Sequence, residues 1–231
     1  MARGTLRRLA AVGAALAAAC GLSATSASAT AGGGWTVSPG GAFRAAAQSD
    51  YFLTTTANVV WCTSSEITGT FASGTGASGA DVGEITGAEF TDCATGAPHT
   101  AVSFTGNASA AHPWKLSVVG PDPDDAHRVV LRISGVSLSL RGLDPALPCA
   151  VDFGGPDADG DGTQDGGTAT AYYDNRTGVM ALDSGASQLV TTSATTCDGA
   201  LFFPRQAGYW MAGRYHDGYH LDVPRTITPT P

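Results

Sequence analysis

The sequence predicts an all-β protein, an antiparallel β-sandwich or small β-barrel held by two disulfides. Three observations carry that prediction. Glycine occupies 31 of 231 positions and charged residues only 14%. Apolar residues fall in short runs of period two between turn residues, and no stretch beyond the N-terminal leader keeps helical spacing long enough for a stable helix. The cysteines left after that leader, Cys62, Cys93, Cys149 and Cys197, are even in number, as in exported disulfide proteins.

The leader comes first in the chain. Arg3, Arg7 and Arg8 precede an apolar run from Leu9 to Leu22, and Ala27-Ser28-Ala29 gives the small-x-small pattern that a signal peptidase cuts. Residues 1–29 are therefore read as a signal peptide and 30–223 as one secreted all-β domain. The apolar run is too short for a membrane span, and no later window is long enough, so no transmembrane segment is expected. Ala17-Ala18-Ala19-Cys20 leaves a second export reading open, in which Cys20 becomes a lipid anchor.

Cleavage removes three arginines and no acid, so the net charge of −8 becomes −11. With a single lysine, Lys115, and scattered arginines, the chain lacks the clustered cations that a phosphate backbone requires, which excludes nucleic acid. The expected partner is an extracellular or cell-envelope ligand of unread identity, met by a monomer.

The strands follow in order. Phe52–Cys62 reads as one apolar and β-branched run, and Glu84–Thr91 and Thr100–Phe104 alternate in the same way. Residues 72–80 between the first two are a small-residue loop. Trp114–Val119 opens after a proline. In Val129–Leu140 the apolar set is Val129, Leu131 and Ile133, then Val136, Leu138 and Leu140, so its phase slips at Ser134-Gly135. A slip of one residue would throw the apolar side chains to the wrong face, which predicts a bulge or a corner at Gly135. Cys149–Phe153, Thr168–Tyr173, Val179–Leu182, Gln188–Thr192, Ala200–Phe203, Tyr209–Tyr215 and Tyr219–Val223 complete the set. Asp217-Gly218 is hairpin chemistry and predicts cross-strand aromatic pairing of His216 with Tyr219 on an exposed hairpin. The Thr-Pro tail, 224–231, is expected to be disordered. Disulfides Cys62–Cys93 and Cys149–Cys197 would each close a local loop.

Function is written most clearly in residues 157–165, D-A-D-G-D-G-T-Q-D. Asp157, Asp159 and Asp161 take the first, third and fifth positions of an EF-hand-like register, Gly162 the sharp turn, the Thr163 carbonyl the seventh and Asp165 the ninth. These nine residues resemble the calcium loops of dockerin and thrombospondin type 3 repeats, and the resemblance implies Ca²⁺ as the cofactor. The twelfth position, normally a bidentate Glu, is Thr168. A set so truncated implies weak affinity, on the order of 10⁻⁴ to 10⁻³ M, unless Asp152 or Asp174 folds in. The other reading is a solvated acidic loop.

Met180-Ala181-Leu182-Asp183-Ser184-Gly185-Ala186-Ser187 resembles the aspartic-peptidase signature, with Asp183 as the catalytic carboxylate. That chemistry needs two carboxylates sharing a proton, and no second D-[ST]-G occurs, so only a dimer could supply the pair. Asp-Ser-Gly is also ordinary turn chemistry between two strands. No serine-hydrolase elbow is present, and His99, His112 and His127 sit in loop contexts. The layout around Trp35, Val60-Trp61-Cys62, Phe90-Thr91-Asp92-Cys93, Pro113-Trp114, Cys149-Ala150-Val151 and Thr196-Cys197-Asp198-Gly199 resembles small secreted β-rich proteins of high-GC Gram-positive bacteria. That resemblance implies export and β class and transfers no catalytic motif. The reading is a secreted β-domain that binds or covers something, with no enzymatic chemistry assigned beyond the Asp183 alternative. Trp114, Tyr172 and Trp210 on a concave face would favour a binding module; burial of all three would favour an envelope role.

Overall fold

The computed structural model describes residues 34–54, 59–77, 79–96, 100–145, 149–157, 165–194, 207–212 and 218–230. These residues belong to one unit, Ala31–Pro231, and are all-β with a large antiparallel sheet. The leader, residues 1–29, lies outside them.

The strands are Trp35–Ser38 (β1), Gly41–Ala47 (β2), Asp50–Thr54 (β3), Val59–Phe71 (β4), Gly74–Ala77 (β5), Gly83–Thr95 (β6), Ala101–Gly106 (β7) and Trp114–Pro121 (β8). There follow Arg128–Val136 (β9), Leu138–Gly142 (β10), Ala150–Gly154 (β11), Gly167–Asp174 (β12), Val179–Ala194 (β13), Ala207–Ala212 (β14), Tyr219–Leu221 (β15) and Thr226–Pro229 (β16).

The pairing closes on itself twice. One circuit runs β2–β4–β6–β8–β9–β12–β13–β15 and back to β2. The other runs β3–β4–β6–β7–β10–β11–β13–β14 and back to β3. The long strands β4, β6 and β13 serve both, each giving one half to each circuit. In β4, Ser65–Phe71 pairs with β2 while Val59–Cys62 pairs with β3. Closure leaves neither circuit an open edge among the described residues, which removes the commonest template for aggregation.

Gly135 does what the phase slip requires. It has φ +80°, and it is skipped in the register, since Ser134 pairs with Thr168 and Val136 with Gly167. Val129, Leu131 and Ile133 therefore point into the first circuit, while Leu138 and Leu140, beyond the bulge, point into the second; all are buried. The bulge is where the chain crosses from one circuit to the other.

The core is rich in rings. Phe52 meets Phe153 at 4.3 Å and Phe104 at 5.8 Å, and Trp114 meets Trp210 edge-on at 5.7 Å. Each such side chain fully withdrawn from water contributes about 1.5–3 kcal/mol or more. Cys62 and Cys93 lie opposite each other on β4 and β6 and are bridged. Cys149 is itself disulfide-bonded, but Cys197, its expected partner, lies outside the described residues.

Several expectations are corrected. Phe52–Cys62 is not one strand: residues 55–58 separate β3 from β4, which pair as a hairpin. Two strands with a turn at Asp183-Ser184-Gly185 are instead the single strand β13; the extra residues form an irregularity, with Asp183 opposite Thr170 and Gln188 opposite Thr168. The tail is ordered over 224–230. Its strand β16 pairs along β1, Ile227 is fully buried and Arg225 is buried. Asn175 caps Ile227 on the other side, donating Nδ2–H to its carbonyl and accepting its N–H at 2.7 Å. Tyr219 is core, not part of an exposed hairpin; His216 and Asp217 lie outside the described residues, as does Ala200–Phe203.

Candidate calcium loop and the carboxylates around it

The acidic run leaves the second circuit at the end of β11 and rejoins the first at the start of β12, so it sits at the junction of the two. Its neck is drawn tight by glycine. The Gly155 N–H donates to the Asp165 carbonyl at 2.6 Å. A side chain at Gly155 would strike the Gly166 carbonyl at 2.6 Å, and one at Gly166 would strike the Gly135 backbone at 2.4 Å. Only residues without a Cβ let these three segments approach so closely. Asp157 is half-buried and Asp165 exposed, at the two sides of this neck. Asp159, Asp161 and Thr163 lie outside the described residues. Among the described residues no group of three or more His, Cys, Asp or Glu side chains is placed to hold a metal ion.

The two acids that could have completed the set are committed elsewhere. Asp152, on β11, accepts from Ser139 at 2.8 Å, Ser193 at 2.7 Å and Arg141 at 2.6 Å. Partial burial works against its ionisation, but these donors outweigh it and hold the carboxyl below its ordinary value. Asp174, at the far end of β12, is held by Arg176 at 3.0 Å, with Arg128 at 3.9 Å, and Arg176 lowers its pKa.

Asp183 is half-buried on β13. The Tyr172 hydroxyl donates to it; burial first, and then the charge of Asp183, raise the pKa of that phenol. Aspartic-peptidase chemistry at Asp183 would need its second carboxylate from a partner copy of the chain.

Of the aromatic candidates, Trp114 and Trp210 are fully buried and only Tyr172 reaches the surface. His112, His127 and His220 are exposed, and His99 lies outside the described residues. A shallow depression of about 470 Å³ is lined by Phe90, Asp92, Cys93, Val102, Ser103 and Leu143 beside the disulfide.

Sequence reasoning missed the two charged groups withdrawn furthest from water. Arg225 donates to the carbonyls of Pro39, Gly40 and Ala42, which anchors the tail over the start of β2. Asp50 is 2% exposed and accepts from Trp210 and Tyr219. Neither stands in a motif; the one local signal for Asp50 is an acid opening the apolar run Tyr51-Phe52-Leu53. Comparisons of the chain with protein families, with curated proteins and with solved structures found no match.

Proposed function

We propose that the protein is an exported extracellular β-domain, freely secreted or lipid-anchored at Cys20, whose role is to bind or cover a cell-envelope component and whose acidic loop takes Ca²⁺ weakly. The observation that carries the calcium reading is the neck: the Gly155 to Asp165 hydrogen bond draws together the two ends of a D-x-D-x-D-G-x-x-D run. Asp157, Asp159, Asp161, the Thr163 carbonyl and Asp165 would be the ligands. Because Asp152 and Asp174 are spent on Ser139, Ser193, Arg141 and Arg176, no sixth, bidentate acid joins them, and affinity stays low. Burial of Trp114 and Trp210 removes two of the three rings from an aromatic ligand platform, and Tyr172 alone of the three reaches the surface. The two circuits are read as small barrels sharing their long strands, with Cys149–Cys197 as the second staple.

Thermal melting of the full mature chain tests the calcium reading. At about 5 mM CaCl₂, roughly tenfold above a submillimolar Kd, binding adds about 1.4 kcal/mol and raises Tm by about 3–6 °C over EDTA. The rise disappears in Asp159→Ala and Asp161→Ala. An unchanged Tm in the parent protein leaves only the solvated acidic loop.

A further inference from the structure

Asp50 opens β3 just after the chain leaves β2, where it passes from one circuit to the other, and it is the most deeply buried carboxyl among the described residues. Its Oδ1 accepts the Trp210 indole N–H at 2.9 Å and its Oδ2 accepts the Tyr219 hydroxyl at 2.7 Å. The Ser65 hydroxyl in turn donates to the Tyr219 oxygen at 2.9 Å. Trp210, on β14, belongs to the second circuit, Tyr219, on β15, to the first, and Ser65 to the shared strand β4. One carboxyl thus ties both circuits together.

A hydroxyl donates and accepts, so this chain can run in either direction. With Asp50 ionised, Ser65 donates to Tyr219 and Tyr219 to the carboxylate. With Asp50 protonated, its O–H donates to the Tyr219 oxygen and Tyr219 donates to Ser65 Oγ. Only O–H bonds turn, and the Trp210 N–H keeps its acceptor in both states. We propose that Asp50, Tyr219 and Ser65 form a reversible hydrogen-bond chain that holds Asp50 with or without its proton, making the junction of the two circuits a pH-responsive latch.

No other described charged group shares the site. Arg44 of β2 pairs with Glu66 of β4 at the surface, and Glu89 and Asp92 of β6 are exposed. Tyr51 and Tyr209 alternate with Asp50 and Trp210 along β3 and β14 and so face outward, and His220 of β15 is exposed. Only Tyr219 faces Asp50. Burial pushes the Asp50 carboxyl up to about 7, against hydrogen bonds from Ser65, Tyr219, Trp210 and the Tyr51 backbone. Burial, and then the Asp50 charge, push the Tyr219 phenol well above its ordinary value. The ionised acid is the form the fold disfavours, so the latch is tightest on the acid side and loosens as pH rises through about 7.

The test follows the full chain from roughly pH 5 to 9 by near-ultraviolet circular dichroism, tryptophan fluorescence and the infrared carbonyl band of a protonated carboxyl. The expected result is a one-proton transition near neutrality, carried by that band. It is absent in Asp50→Asn, which mimics the protonated acid. In Tyr219→Phe, where the carboxylate loses a donor, the midpoint moves upward; this variant also carries the test if Asp50→Asn does not fold. An Asp50 band that titrates near pH 4, the ordinary range for Asp, or a neutral transition that persists in Asp50→Asn, overturns the proposal.

Discussion

At the scale of the residue, Asp50 and Gly135 do unlike work. Asp50 stays buried because Trp210 and Tyr219 replace part of the water it loses. Its pKa rises from 3.8 unfolded to about 7 folded, so the folded state binds its proton more tightly than the unfolded chain. This contribution to stability is complete below about pH 4, declines between about 4 and 7, and is gone above that, a swing of about 4 kcal/mol. Asp50→Asn should flatten the decline, so that by chemical denaturation the variant is more stable than the parent above neutrality and closely matched near pH 4. A variant that keeps the parent's slope between pH 4 and 7 contradicts this assignment. Gly135 was legible because the apolar pattern itself changes phase there. Asp50 was not, because a lone acid before a strand carries no mark of the Trp210 and Tyr219 donors that reach it from far along the chain.

At the scale of the element, period-two burial was readable wherever a strand has one wet face. β9 and β10 are buried at Val129, Leu131, Ile133, Leu138 and Leu140, as the alternation requires. β2, with its run Phe43-Arg44-Ala45-Ala46-Ala47, was missed because alanine carries little β preference; its place is fixed by pairing with β4 and β15. The tail was missed for a related reason. Thr-Ile-Thr-Pro has one apolar side chain, and its order comes from β1, Asn175 and the Arg225 contacts. Ile227→Ala should therefore cost about 2–5 kcal/mol, measured by denaturant unfolding. A change within a few tenths of a kcal/mol would return this segment to the status of a loose end.

At the scale of the whole molecule, two closed circuits share β4, β6 and β13, so damage to a shared strand is felt in both. The Cys62–Cys93 bridge joins two of those strands. Cys149 stands at the entrance to β11 and is disulfide-bonded. Peptide mapping of the unreduced protein should recover Cys149 linked to Cys197, and a Cys149 peptide joined to Cys20 instead would show that the leader is retained. The acidic loop belongs to this scale too, since its neck is the place where β11 of one circuit gives way to β12 of the other.

By itself the sequence determined the β class, the Gly135 crossing, the Cys62–Cys93 bridge and the acidic run, because each depends on neighbours or on a periodicity local to the chain. The tertiary structure decided what is set by contacts between distant segments. It closed the pairing into two circuits, joined β13 through its Asp-Ser-Gly, anchored the tail through Arg225, and buried Asp50 among donors contributed by β4, β14 and β15. These partnerships join segments far apart in the chain, and no local pattern encodes them.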